Sequence, residues 1–129
     1  MADIAWKVQT GTELTTADLY DILKLRVEVF TVEQDCPYQD LDDQDLGGNI
    51  YHIRAVSEAN GLLAYIRVMY NNTEAKQVQI GRVVVEKNAR SIGLGRDLMK
   101  HALELIEEKQ SEYPSDTAML HGQAYVRRY

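Results

Sequence analysis

The residues best suited to chemistry in this 129-residue chain form one short run, Arg90-Ser91-Ile92-Gly93-Leu94-Gly95. It lies between an apolar strand-like segment, Val78 to Glu86, and an amphipathic helix-like segment running from Leu94 to about Lys109. A strand, a tight turn rich in main-chain N–H groups and a helix N-terminus make an arrangement that binds phosphate. The first four N–H groups of a helix have no partner inside it, and aligned peptide dipoles place partial positive charge there. A phosphate or pyrophosphate satisfies both. Glycine at 93 and 95 removes the Cβ atoms that would hold a ligand away and reaches backbone angles closed to other residues. Arg90 adds a permanently charged fork. The competing reading is a plain structural turn.

Two better-known phosphate loops are excluded. A P-loop needs Gly-Lys-Ser/Thr, which does not occur here. A dinucleotide fingerprint needs a third glycine where this chain has Leu98. The remaining spacing, Arg-x-x-Gly-x-Gly at 90 to 95, resembles motif A of the GNAT superfamily of N-acetyltransferases. Further blocks resemble the ElaA-like branch of that superfamily: Leu25-Arg26 with Val29-Phe30, Val32-Glu33-Gln34, Cys36 to Asp42, Ile80 to Val85, and Gly122-Gln123-Ala124. Together they run from about residue 19 to the C-terminus.

The resemblance implies an α+β fold: a GNAT-like mixed sheet with an antiparallel meander, helices on both faces, and a parallel strand pair forming a V-shaped cofactor cleft. It implies acetyl transfer from acetyl-coenzyme A to a primary amine of a small molecule or peptide. The pyrophosphate would rest on Arg90, Ser91, Ile92, Gly93, Leu94, Gly95 and Arg96. Main-chain groups of Val83, Val84 and Val85 would hold the pantetheine amides and polarise the thioester carbonyl. Because an alkylamine has a pKa of about 10.4, a base must take its proton, and Glu33 is the candidate. Tyr129, then Tyr125, are the candidates for donating a proton to the departing thiolate. Arg26 and Arg82 would organise the substrate cleft, each paired with a carboxylate of the 33 to 45 stretch, since a buried guanidinium needs a partner. The alternatives are a coenzyme A-binding module without turnover and an acyl transferase related to homoserine-lactone synthases.

The elements that must position these groups follow from patterning. Ile4 to Gln9 alternates as a half-buried strand. Thr15 or Thr16 can cap a helix whose stripe is Leu19, Ile22, Leu23, Arg26 and Phe30, and Pro37 keeps it from running far beyond Gln34. Ile50 to Ser57, Leu62 to Tyr70 and Lys76 to Glu86 read as three strands joined by turns at Asn60-Gly61 and Asn71-Asn72. Short connections make them antiparallel. After the helix from Leu94, Ala118 to His121 reads as a short strand parallel to the one ending near Glu86.

Length and a hydrophobic share of 45% suit one domain, residues 1 to 129. No apolar run approaches the ~20 residues that cross a bilayer, so we expect a cytoplasmic protein without membrane contact. A net charge of −6 argues against nucleic acid as partner. Glu33, Asp35, Asp40, Asp42, Asp43 and Asp45 lie in one stretch with no Lys or Arg among them. They read as a solvated loop, or as a rim attracting a cationic amine. A calcium loop fits poorly, with Asp45 where glycine is needed. Cys36 reads as a small buried or half-buried side chain, and His52, His101 and His121 are too scattered for a metal set. The family's closing strands have no counterpart before Tyr129. Either the fifth strand leaves an edge open to a homodimer, or the closing segment lies beyond this sequence.

Overall fold

The computed structural model describes residues 3–120. Strands β1 (Ile4–Thr10), β2 (Ile50–Ser57), β3 (Gly61–Asn72), β4 (Gln77–Val85) and β5 (Thr117–Leu120) form one sheet in that order. Successive pairs are antiparallel through β4, and β4–β5 is parallel. The reasons are local. Turns at 58–60 and 73–76 are too short for anything but reversal, and Gly61 at φ +73 closes the first of them. Helix α2 (Leu94–Glu108) fills the connection to β5 and so permits a parallel strand. Among the described residues no helix is long and apolar enough to cross a membrane.

Helix α1 (Thr16–Arg26) begins where expected, with Thr15 Oγ1 accepting from the Asp18 N–H at 3.1 Å. Its continuation differs from the expected single helix. Val27–Glu33 winds as a π-helix, closed by the Gln34 N–H bonding the Val29 carbonyl five residues back at 3.0 Å. Such wide turns concentrate at functional sites. From Asp35 to Gly48 the chain is irregular, as its composition predicts.

Strand alternation divides the sheet into two unlike faces. Tyr51, Ile53, Ala55, Ile66, Val68, Val78 and Ile80 pack against Leu94, Leu98, Ala102 and Leu105 of α2 in an apolar layer. The opposite face takes Ile22, Leu25, Val29 and Phe30 onto Tyr65 and Val84. The intervening β2 and β3 residues on that side, His52, Arg54 and Arg67, are also buried. Helices therefore cover both faces, as expected.

One residue breaks the alternation. On β4, Val78 and Ile80 face α2, and so do Val83 and Val85, an odd step that an undisturbed strand cannot make. The register moves from Arg67↔Gly81 to Tyr65↔Val84, so β4 holds one residue more than β3 across this interval. The extra residue is Arg82, at φ +51. A left-handed backbone costs an ordinary side chain about 1–2 kcal/mol. Without the bulge, however, the Arg82 guanidinium would enter the apolar α2 layer, where a lone charge is far more costly.

Candidate functional site

Past the bulge, β4 forms one wall of the candidate site. Glu86 donates to the Leu63 carbonyl at 2.7 Å, opposite it in the register that pairs Ala64 with Val85 and Tyr65 with Val84. In an antiparallel ladder such bonded positions alternate. The main-chain groups of Val84 are therefore directed at β3, and those of Val83 and Val85 point away from it. This corrects the expectation that all three valines present their backbone to a ligand. The Val85 carbonyl accepts from Arg90 Nε at 3.1 Å. Parallel pairing with β5 runs to Ile80↔Leu120, the last described residue.

The connection to α2 is not the open turn expected. Lys87–Ile92 forms a 3-10 helix capped by the Glu86 side chain, which accepts from the Asn88 N–H at 2.9 Å. Its i→i+3 bonding directs the N–H groups of Arg90, Ser91 and Ile92 back along the chain. Of the seven residues expected to cradle a phosphate, the donors still available lie further on. Gly93 stands at φ +81, and a Cβ there would meet open space, so conformation alone demands glycine. The first bond of α2 is from Asp97 N to the Gly93 carbonyl at 3.2 Å, and no side chain caps this end. The N–H groups of Leu94, Gly95 and Arg96 thus have no acceptor within the helix.

Arg90 and Glu33 meet each other. Nη1 and Nη2 reach Oε2 and Oε1 at 2.5 and 2.6 Å, a bidentate pair that ties the end of the π-helix to the 3-10 segment. Glu33 was expected as the amine's base and Arg90 as a phosphate fork. Each is instead engaged by the other, so neither role is available without breaking the pair.

Arg26 and Arg82 do pair with the acidic stretch, and they do so as parts of a larger lattice. Arg26, wholly buried, reaches Asp40 Oδ2 at 3.0 Å, the Asp40 carbonyl at 2.9 Å and Asp45 Oδ1 at 2.7 Å. Arg67, which sequence reasoning missed, reaches the same Asp45 oxygen at 2.9 Å and Asp42 Oδ2 at 2.7 Å. Arg82 closes it with Asp40 Oδ1 at 2.9 Å and Asp42 Oδ2 at 3.3 Å. Three guanidiniums balance three carboxylates. Asp40 and Asp45 are buried rather than solvated, and their charge is neutralised, which overturns both the solvated-loop and the cation-attracting-rim readings for them. Burial pushes the Asp42 carboxyl up, but bonds and charge from Arg67, helped by Arg82, outweigh it and hold it at about 2.

Beside this lattice His52 is sealed in. Its Nε2–H donates to the Asp45 carbonyl at 2.8 Å, which leaves Nδ1 to accept from the Tyr65 hydroxyl at 2.5 Å. The ring is the neutral tautomer, and burial lowers its pKa. Tyr38 lies against Arg82, whose guanidinium carbon is 5.6 Å from the ring centre, and its hydroxyl donates to Asp40 Oδ1 at 3.3 Å. A sequence signal for the missed residues exists: His52, Arg54, Tyr65 and Arg67 recur at period two in otherwise apolar strands. Cys36 is exposed, contrary to expectation. Tyr125, Tyr129 and His121 lie outside the described residues, as does the Gly122-Gln123-Ala124 block.

Comparison with known proteins gives this geometry a lineage. ElaA of Escherichia coli strain K12 is 36% identical over 126 residues, 98% of this chain and 80% of ElaA. The crystal structure of Escherichia coli ElaA superposes with a TM-score of 0.84, covering 97% of this chain and 82% of that one. An acyl-CoA N-acyltransferase from Pseudomonas aeruginosa is 40% identical, with a TM-score of 0.83 over 98% of this chain and 87% of its own. A predicted acetyltransferase from Clostridium acetobutylicum, solved with acetyl-CoA, shares the fold at a TM-score of 0.71 and 14% identity, over 97% of this chain and 84% of its own. The profile of the Acetyltransferase (GNAT) family matches residues 18–118. With the mixed sheet, the bulged fourth strand and the uncapped second helix already in place, the chain belongs to the GNAT acetyltransferase family.

Proposed function

We propose that this protein transfers an acetyl group from acetyl-CoA to a primary amine of a small molecule or peptide. The observation that carries the reading is the direction of two main-chain sets on one stretch of chain. Val83 and Val85 direct their amide groups away from β3, and nine residues past Val85 the uncapped N-terminus of α2 begins at Leu94. The first set suits the two amides of a pantetheine arm, and the second suits a diphosphate. A ligand that carries both groups in sequence is coenzyme A.

In this reading the N–H groups of Leu94, Gly95 and Arg96 hold the diphosphate. Val83, beside the bulge, donates to the thioester carbonyl and so favours the oxyanion that forms as the amine attacks. Arg82 and Arg26 fix the irregular 35–48 segment over the sheet, and that segment forms the acceptor side. With Asp40, Asp42 and Asp45 matched by arginines, those three carboxylates add no net charge to the acceptor side. The acceptor amine arrives as the free base, by loss of its proton to water at the mouth of the site.

The test is direct. The full chain is incubated with acetyl-CoA and a panel of primary amines, and thiol release is followed alongside thermal stabilisation by coenzyme A. Stabilisation with amine-dependent thiol release supports the transferase. Stabilisation with none points to a binding module without turnover. Absence of stabilisation removes the coenzyme A reading altogether.

A further inference from the structure

We infer that the outer side of the 35–48 segment, with the adjoining flank of α1, is a docking groove for a partner peptide that presents leucine-size side chains beside a lysine or arginine. Its occupancy does not depend on acetyl transfer. A loop in water usually hides its apolar side chains and solvates its carboxylates, and this one does the reverse. Asp40 and Asp45 are buried, while Leu41 and Leu46 are 48% and 65% exposed. Both leucines open onto a groove of about 250 Å³ whose other wall is Leu19 and Leu23 of α1. These two, one helical turn apart, are half-buried, whereas Ile22 and Leu25 of the same helix belong to the core.

The exposed leucines are held in place from beneath. Leu41 stands between Asp40, which binds Arg26 and Arg82, and Asp42, which binds Arg67 and Arg82. Leu46 follows Asp45, whose carboxylate bridges Arg26 and Arg67 and whose carbonyl accepts from His52 Nε2 at 2.8 Å. Charges anchored on the inner side keep the segment from rolling over to hide its apolar residues. A surface fixed in advance loses little conformational entropy when a partner binds.

Charge selects the occupant. Asp43 lines the same groove, exposed and at φ +63, and takes part in none of the ion pairs among the described residues. The groove's other carboxylate, Asp45, is already matched by two arginines, so Asp43 is the one open to a cation. A second copy of this chain, itself at −6, would set carboxylate against carboxylate. A basic, apolar peptide instead meets the leucines with its apolar side chains and Asp43 with its cation, as amphipathic segments do in apolar grooves.

Fluorescence anisotropy tests this with the full chain and a short labelled peptide that carries leucine at positions i and i+4 with lysine beside each. Expected is saturable binding, weakened at least tenfold when glutamate replaces the peptide's lysines, and at least tenfold when serine replaces its leucines. Leu41→Ser and Leu46→Ser should each weaken binding at least fivefold. Leu103 is a comparably exposed leucine, at 53%, on α2 across the sheet, and Leu103→Ser should leave binding within twofold. Asp43→Asn, a residue type that also accepts the left-handed backbone, should cut the preference for lysine over glutamate at least fivefold. Absence of saturable binding, an equal loss in Leu103→Ser, or a lysine preference unchanged in Asp43→Asn overturns the inference. So does sedimentation that shows self-association abolished by Leu46→Ser, since the occupant is then a second copy of this chain.

Discussion

Replacing Asp45 with Asn tests whether the buried charge lattice holds the 35–48 segment in place. One oxygen, Oδ1, bridges Arg26 at 2.7 Å and Arg67 at 2.9 Å, and both guanidiniums are almost fully removed from solvent. The amide is nearly isosteric but carries no charge, so the lattice passes from balanced to a net positive charge. Removing one partner of a buried ion pair costs about 3–5 kcal/mol. We take about 3, because Asp40 still holds Arg26 and Asp42 still holds Arg67. With an unfolding entropy of roughly 2.1 cal/mol/K per residue, a chain of this length has about 270 cal/mol/K, so Tm should fall by about 11 °C. Differential scanning calorimetry measures it. The double variant Asp45→Asn with Arg67→Met restores charge balance, and its loss should be smaller than the sum of the single losses by more than about 1 kcal/mol. A single-variant cost below about 1 kcal/mol, or additivity in the double variant, would show that the lattice is incidental to stability.

Two further outcomes follow from the geometry. Gly93→Val places a β-branched residue at φ +81, which costs about 1–2 kcal/mol and displaces the start of α2. Coenzyme A affinity by calorimetric titration should fall at least tenfold, while Gly93→Asn should lose much less, and equal losses would remove conformation as the reason for glycine. Stability should also decline on acidification in two stages. His52 has its pKa lowered from 6.5 by burial, so the unfolded chain binds a proton the native chain refuses, and stability present above pH 6.5 is lost as pH falls below it. Asp42 contributes stability present above its ordinary value of 3.8 and lost as pH falls toward about 2. Urea midpoints measured from pH 8 to pH 2 should show both stages, and His52→Gln should remove the first.

Much of the architecture was legible because it depends on local periodicity. Strand limits on β2 and the start of α2 at Leu94 match the pattern of apolar residues, and Thr15 caps α1 as its type suggests. What could not be read was partnership across the sheet. Nothing in the order of residues shows that Arg67 and Arg26 share one oxygen of Asp45, since the three are separated by long stretches of chain. The same limit explains Glu33 and Arg90, which were assigned separate tasks because their contact spans 57 positions. The bulge was missed for a different reason. Arg82 falls where the alternation of Val78 and Ile80 puts an apolar residue, and that mismatch of phase is a signal that periodicity alone registers as noise.

The supernumerary residue on β4 also limits how the chain can be shortened. Before it, β4 pairs with β3 in one register and with β5 on its other side; after it, the β3 register has moved by one residue. A single-codon deletion at position 82 would bring the two halves back into step, leave Val83 and Val85 on the α2 side, and take away the guanidinium that reaches Asp40 and Asp42. The strained residue and the third cation of the lattice are thus one and the same side chain, so the kink cannot be ironed out without uncoupling the sheet from the 35–48 segment.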